Sequence, residues 1–421
     1  MLGLAAAAAR VLEALGTVAS EDIALADAGG RVLAEDVRSE VALPPWDNSA
    51  MDGYAVRAED VNAAKPDSPV ILRVIGTVAA GQRSTTRLER GDAMRIMTGA
   101  PLPPGADCVI RVEDTDGGSK MVRIVSARDV GRNVRPKGED VAAGSLVAGR
   151  GTIVTPGLLG LLGGVGRAHV SVARRPVVAV IGSGDELVSV DDFDAVRRGE
   201  RIVATNGYVL TAIVRAAGGE VLDLGVAPDD RARIRALILD GSRQADLVVT
   251  TAGVSVGEHD HTKGIVEEEG RIDFWRISAR PGSQLAFGSV GGTPWLGLPG
   301  NPVSAAITGE LFVRPAVLRL QGVAAVHRAP IVVRLGQRVQ GAAGMTQLLR
   351  TRLVPYDGGF LAELTGPQGS GLMSSMARAD ALLVIPPGAE LFEAGAQLQA
   401  IPLHGSVALD RELRLAAIPA A

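Results

Sequence analysis

The sequence predicts a multidomain protein of the α/β plus β class: a central, mostly parallel α/β domain with small β domains and a C-terminal β-barrel. Three observations carry this expectation. Between Arg175 and Leu320, apolar β runs alternate with helical segments, the rhythm of a right-handed parallel sheet. Residues 43–137 are dense in turn signals (PP, DG, GQ, PLPPG, DGG) between short Val/Ile runs, which reads as small β structure. Beyond about residue 325 short alternating strands return.

In chain order, MLGLAAAAARVLEALG reads as an amphipathic first helix, and polar and extended pieces follow to residue 42. GTIVTPGLLGLLGGVG, within the stretch 138–173, reads as a strand and a short helix that return the chain to this first region. PVVAVIG is a continuous apolar run, as expected of a strand covered on both faces. TNGYVLTAIVRAAGG places Val209, Leu210, Ile213 and Val214 on one helical face, with Thr205 or Asn206 as N-cap and Gly218 as stop. EVLDLGVA and ADLVVTTAG are the next strands, flanking the helix DDRARIRALILDG, and Pro302 opens a closing helix that runs to Leu320. IVVRL, TQLLRTRL, FLAEL, ALLVIP and QLQAIPL are the strands of the last region. The expected domains are 1–42 with 138–173, 43–137, 174–322 and 323–421.

Composition narrows the function. Among 421 residues, 43 Lys and Arg face 47 Asp and Glu, a net charge of −4 that fits neither a polybasic nucleic-acid binder nor an acidic tail. Aromatics are 3%, so the cores must be built of Ala, Val, Leu and Ile. The single Cys108 can form no internal disulfide, and no Cys/His pairs hold structural zinc, which points to a reducing, cytoplasmic setting. The N-terminal run lacks the basic stretch of a signal peptide. The long uncharged segment after Gly151 is too short and too broken by Pro156 and glycines to span a bilayer. No membrane or nucleic-acid partner is expected.

Ligands of open parallel sheets bind beyond the carboxyl ends of the strands. Three loops in that position are unusual: Gly182 to Glu186, Gly253 to Asp260, and Gly297 to Ser304. Each joins glycines, whose N–H groups can approach an anion, to hydroxyls or carboxylates that orient a ligand or hold a hard cation. No P-loop and no GxGxxG follows a strand, so kinase and dehydrogenase readings lose their main support. Glu186, Asp229 and Asp260 lie at strand ends of this sheet, while Asp52 and Asp140 sit in the polar segments PPWDNSAMDGYAV and RNVRPKGEDV. For Asp229 a helix N-cap is the plainer reading. Converging carboxylates would suit Mg²⁺-assisted attack on a phosphoanhydride. Arg276 and Arg280 offer planar forks for an oxyanion. His259 and His261 flank Asp260 but lack a third ligand of defined spacing. Cys108, Trp46, Trp275 and Trp295 read as packing residues.

PPWDNSAMDGYAV, RIMTGAPLPPGADCVI, GRNVRPKGEDV, GSGDEL, GVSVGEHDHTK, FWRISARPG, AFG and GLPGNPVSA stand in this order, followed by QGSGLMSSMARADALLVIP. Together they resemble the molybdopterin molybdenumtransferase family, called MoeA in bacteria and related to the C-terminal domain of gephyrin. The resemblance implies an elongated, four-domain, cytoplasmic homodimer whose α/β domain is similar to molybdopterin adenylyltransferase, itself an implied partner. It implies insertion of molybdenum from molybdate into adenylylated molybdopterin, with Mg²⁺ as cofactor and AMP released. The implied site is a cleft between the α/β domain of one subunit and the small β domain of its mate. Carried onto this sequence, Glu186, Asp140, Asp52 and Asp260 are catalytic, with Glu186 and Asp260 near the metal. Substrate contacts fall to Thr98, Arg135, Ser183, Asp229, Gly253, Ser255, Arg276, Arg280, Pro299 and Asn301, with Ser304 and Ser370 as oxyanion contacts.

Two departures bear on activity. The family's usual KPGKP reads Arg280-Pro281-Gly282-Ser283-Gln284, which removes one Lys from the implied molybdate pocket. Losing that charge would weaken oxyanion binding by about 1–3 kcal/mol if the group is desolvated. The usual GGVSVG begins here at Ala252, which matters if that position needs positive φ. A second reading therefore stands beside the first: a catalytically weak paralogue that binds molybdopterin as a scaffold or carrier.

Overall fold

A computed structural model describes residues 1–253, 261–356, 358–388 and 391–403. It divides into two compact units, one of Met1–Glu21 with Ala173–Ala421 and one of Asp22–Val172.

In the Asp22–Val172 unit, five strands form a sheet: β1 (Gly53–Val56), β2 (Val70–Val78), β3 (Asp92–Ile96), β4 (Cys108–Arg111) and β5 (Met121–Ile124), in the order β4-β1-β3-β2-β5. Its faces bury two separate clusters, one around Tyr54, Leu72, Ile110 and Ile124 and one around Leu88, Met94 and Ile96. Cys108 lies in the first, its thiol donating to the Asp129 carbonyl at 3.3 Å, and burial pushes its pKa up. A third cluster joins Leu33 and Val37 to Leu162 of a helix at Pro156–Gly164, so the pieces on either side of the sheet domain share one core.

In the other unit, α1 (Leu4–Glu13) is the expected N-terminal helix. The central sheet contains β6 (Val177–Ser183), β7 (Glu220–Ala227), β8 (Leu247–Thr251), β9 (Gly270–Trp275), β11 (Ala286–Val290) and β12 (Thr293–Leu298), in the order β7-β6-β8-β12-β11-β9. β7, β6, β8 and β12 are parallel, and β11 is antiparallel to both its neighbours. Helices α2 (Thr205–Ala216), α3 (Arg231–Gln244) and α4 (His261–Glu269) complete the alternation. α3 and α4 cover one face through Ile234, Ile238, Ile265 and Val266, packed on Ala179, Val248 and Trp295. The indole N–H of Trp295 donates to Thr250 Oγ1 at 3.1 Å, which satisfies the one polar atom of a fully buried ring. The closing helix has two α segments, α5 (Pro302–Thr308) and α6 (Arg314–Leu320), joined by a π-helical turn at Gly309–Val313.

The last region closes on itself. β13 (Ile331–Leu335), β14 (Thr346–Tyr356), β15 (Gly359–Leu364), β16 (Ala381–Ile385) and β17 (Gln397–Pro402) pair in the circuit β14-β15-β13-β17-β16-β14, a five-stranded barrel around Val333, Leu353, Leu383 and Ala400. A short strand from the α/β region, β10 (Ala279–Arg280), pairs in parallel with β14, placing Arg280 opposite Gln347.

Two local expectations are corrected. Neither Thr205 nor Asn206 caps α2: Thr205 is its first helical residue, the N-cap is Ala204, and the Asn206 amide instead donates to the Gly300 carbonyl at 2.9 Å. The cap of α3 is Asp230, which accepts from the Arg233 N–H at 2.8 Å, and not Asp229.

Candidate functional site

Two cavities open at the carboxyl ends of the parallel strands, and Gln284 and Asn301 line both. The first, about 620 Å³, is bounded by the ends of β6, β7 and β8 and by the N-termini of α2 and α5. α2 has no side-chain cap at its start, so its first N–H groups remain available to an anion, whereas α5 opens on Pro302, which has no N–H, and its Val303 N–H is already bonded. Asn206 Oδ1 is buried there without a hydrogen-bond partner among the described residues, an acceptor awaiting a donor. Of the residues singled out from the sequence, Ser183, Glu186, Gly253 and Asn301 line this cavity. Gly184 holds φ +143°, and a Cβ there would lie 2.5 Å from a Glu186 carboxylate oxygen, so glycine is what lets Glu186 fold back over its own loop. Ala252 does adopt positive φ, +70°, a conformation that carries strain for a residue with a Cβ.

The second cavity, about 690 Å³, is the arginine-rich one. Arg280, Arg338 and Arg350 line it with Ser304, Ser370, Pro299 and Gln347, and no carboxylate stands among its described lining residues. Arg350 is 0% exposed. Its Nε donates to Ser375 Oγ at 3.1 Å and its Nη2 to the Gly369 carbonyl at 3.0 Å, while Nη1 has no partner among the described residues. Burial without a counter-charge pushes this guanidinium pKa down. A buried cation left partly unbonded is costly, and an entering oxyanion would supply both the missing acceptor and the missing charge. The Val303 N–H donates to the Ser370 carbonyl at 3.0 Å, which holds the Ser304 and Ser370 segments together.

Arg338 and Arg350 were not singled out from sequence. The available signal was Arg350 inside the apolar run of β14, a polar residue at a core position, but its role depends on barrel closure and on β10 docking beside it. Two anticipated residues of this unit lie outside both linings. Arg276, at φ +71°, lies between β9 and β10, and the Asp229 N–H donates to Asp185 Oδ1 at 3.1 Å. Ser255, His259 and Asp260 fall outside the described residues. Among the described residues no three His, Cys, Asp or Glu side chains group as metal ligands.

The Asp22–Val172 unit gathers the remaining candidates. Asp52 Oδ1 accepts from both the N–H and the hydroxyl of Thr98, at 2.7 and 2.8 Å. These two bonds, with a smaller contribution from Arg95, hold the Asp52 pKa below the usual Asp value. Arg135 pairs with Asn48 in a short antiparallel ladder, and the Asp140 N–H donates to the Leu43 carbonyl at 3.0 Å. Asp52, Thr98, Arg135 and Asp140 are all exposed, and no ion pair joins Asp140 to Arg135 or Lys137 among the described residues.

The chain is an α/β protein whose parallel sheet and small barrel carry two neighbouring cavities sharing Gln284 and Asn301, one at the N-terminus of α2 and one lined by three arginines. Three family models match it in succession: the MoeA N-terminal region (domains I and II) over residues 2–166, a probable molybdopterin-binding domain over 179–319, and the MoeA C-terminal region (domain IV) over 332–403. Molybdopterin molybdenumtransferase 2 of Mycobacterium tuberculosis is 39% identical over 383 residues, 90% of this chain and 93% of that one. The molybdopterin molybdenumtransferase of Haemophilus influenzae is 35% identical over 389 residues, 91% of this chain and 94% of that one. The crystal structure of the molybdopterin biosynthesis MoeA protein of Pyrococcus horikoshii superposes with a TM-score of 0.83 at 28% identity, covering 96% of this chain and all of that one. The chain belongs to the molybdopterin molybdenumtransferase family.

Proposed function

We propose that this chain inserts molybdenum into molybdopterin: it binds adenylylated molybdopterin and molybdate, places the metal on the dithiolene and releases AMP. The observation that carries this reading is Arg350, a buried guanidinium without a counter-ion, in a cavity contiguous with a phosphate cradle. In this reading molybdate occupies the arginine cavity, with Ser304 and Ser370 as hydroxyl donors, and the phosphates lie on Ser183, Gly253 and the N-terminus of α2. Arg338 and Arg350 bring the charge that Ser283 withholds, so the weak-paralogue reading loses its main support.

Magnesium is the proposed cofactor. It is commonly held by one or two carboxylates plus substrate phosphates, and Glu186 beside the cradle fits that requirement, with Asp260 as the second carboxylate. When bound, it would neutralise phosphate charge. Asp52, its pKa lowered by Thr98, and Asp140 are proposed to come from the mate subunit of a homodimer. The substrate requires prior adenylylation, so a molybdopterin adenylyltransferase is the proposed upstream partner, and the cytoplasm the proposed compartment.

The test is AMP release from adenylylated molybdopterin with Mg²⁺, with and without molybdate. Stimulation by molybdate supports the reading. Tight pterin binding without AMP release, reversed by introducing Ser283→Lys and Gln284→Pro, would replace it with the carrier reading.

A further inference from the structure

The first cavity has an end that phosphate chemistry does not explain. Ile202, Tyr208 and Val226 line it and are 54%, 56% and 39% exposed, three large apolar side chains from three different elements turned to one hollow. Single exposed apolar residues are ordinary, but a convergent set at the edge of a polar cleft marks a surface that a flat apolar body can cover. Tyr208 stands one helical turn after Thr205, so the α2 turn that offers N–H groups to an anion also presents an aromatic ring.

Below this ledge lies Asp223. It pairs with Val180 in the β7–β6 register, three residues before Val226, and both Asp223 and Val180 line the cavity. Its Oδ1 accepts from the Gly225 N–H at 2.9 Å, which fixes the carboxylate, and no ion pair engages it among the described residues. The other acidic residue in the described lining, Glu186, comes from the loop after β6 and is already assigned to the phosphate side.

Resting on the function proposed above, we infer that this ledge and Asp223 bind the pterin half of the substrate rather than its adenine half. A 2-amino-4-oxopyrimidine edge presents two adjacent N–H donors, from the amino group and the ring nitrogen, which an ionised carboxylate can accept together. Adenine presents a donor beside an acceptor, so the same carboxylate would satisfy one and repel the other. The fused ring lies on Tyr208 and Ile202. Its dithiolene end, opposite the amino edge, then points toward Gln284 and Asn301, where the arginine cavity begins.

The test uses 6-hydroxymethylpterin and 6-hydroxymethyllumazine, which differ at the 2-amino position, with AMP as a third probe. Binding is followed by fluorescence, and circular dichroism checks the fold of each exposed-site variant. Asp223→Asn should weaken pterin binding about tenfold without weakening lumazine, whose 2-oxo group the new amide N–H can reach while its oxygen still accepts from the ring N–H. Tyr208→Ala should weaken both pteridines about fivefold and Tyr208→Phe neither, with AMP affinity unchanged throughout. Unchanged pterin binding in Asp223→Asn and Tyr208→Ala, or a loss confined to AMP, overturns the inference. The function can fail separately. A wild-type protein without molybdate-stimulated AMP release, but with pterin binding that depends on Asp223, refutes the insertion reaction and keeps the ring site.

Discussion

At the scale of single residues, two charges are held in unusual states by plain means. Asp52 is fully exposed, and its pKa is lowered mainly by the Thr98 N–H and then by the Thr98 hydroxyl. A lowered carboxyl pKa contributes to stability above the unfolded-state value and loses that contribution as pH falls through the folded-state value, so its window lies below about pH 4. At neutral pH Asp52 is an anion with or without this shift, so the Thr98 bonds chiefly fix where its carboxylate sits. Thr98→Val removes the hydroxyl and keeps the N–H, and should raise the Asp52 pKa partway toward the ordinary value in a carboxyl-detected NMR titration. An unmoved titration would mean that the hydroxyl bond is unimportant. Arg350 is the opposite case, a cation that burial disfavours. Replacing buried charge by an apolar side chain is often neutral or stabilising by about 1–4 kcal/mol. Arg350→Met should therefore melt no lower than wild type without oxyanion, yet lose the melting-temperature rise that molybdate produces in wild type. A fall in stability with the molybdate effect intact would make Arg350 a structural residue.

At the scale of elements, the sequence distinguishes what repeats from what depends on distant partners. β6 was legible as a continuous apolar run, β7 and β8 as short Val/Leu runs alternating with helical segments, and the barrel strands as short alternating runs between turns. β9, β11 and β12 were not, because their runs are short and interrupted by glycines. Those glycines have a steric cause: a Cβ on Gly270 or Gly288 would meet the opposite strand's backbone at 1.9 or 2.1 Å. The caps misled in another way, since adjacent Asp229 and Asp230 are chemically equal candidates and only the chain direction at the start of α3 selects between them. Asp230→Ala should cost about 1 kcal/mol in chemical denaturation, while Asp229→Ala should stay within about 0.5 kcal/mol. Equal losses would show that both residues hold the helix start. The site was legible as loops of glycine and carboxylate, but Arg350 was not. An arginine inside an apolar strand reads as a surface residue until barrel closure buries it.

At the scale of the whole molecule, the candidate residues divide between the two units: Glu186, the cradle and the arginine cavity in one, and Asp52, Thr98, Arg135 and Asp140 in the other. Under the homodimer proposal, each complete site draws its two sets from different chains, and subunit mixing makes that testable without coordinates of the dimer. Glu186→Ala and Asp52→Ala should each abolish molybdate-stimulated AMP release as homodimers. Co-expressed, they should assort at random through a two-fold interface, so that about half of the dimers are mixed. In a mixed dimer one site combines both defects and the other has neither, so activity should return to about a quarter of the wild-type value. If each site were built within a single chain, every site would carry one defect and mixing would restore nothing. Both variants change exposed side chains, so loss of folding is not the expected cause of inactivity, and equal melting temperatures for the two homodimers would verify this. Recovery after mixing would thus establish that the two sets act across the subunit boundary, whereas its absence from verified mixed dimers would return Asp52 to its own chain.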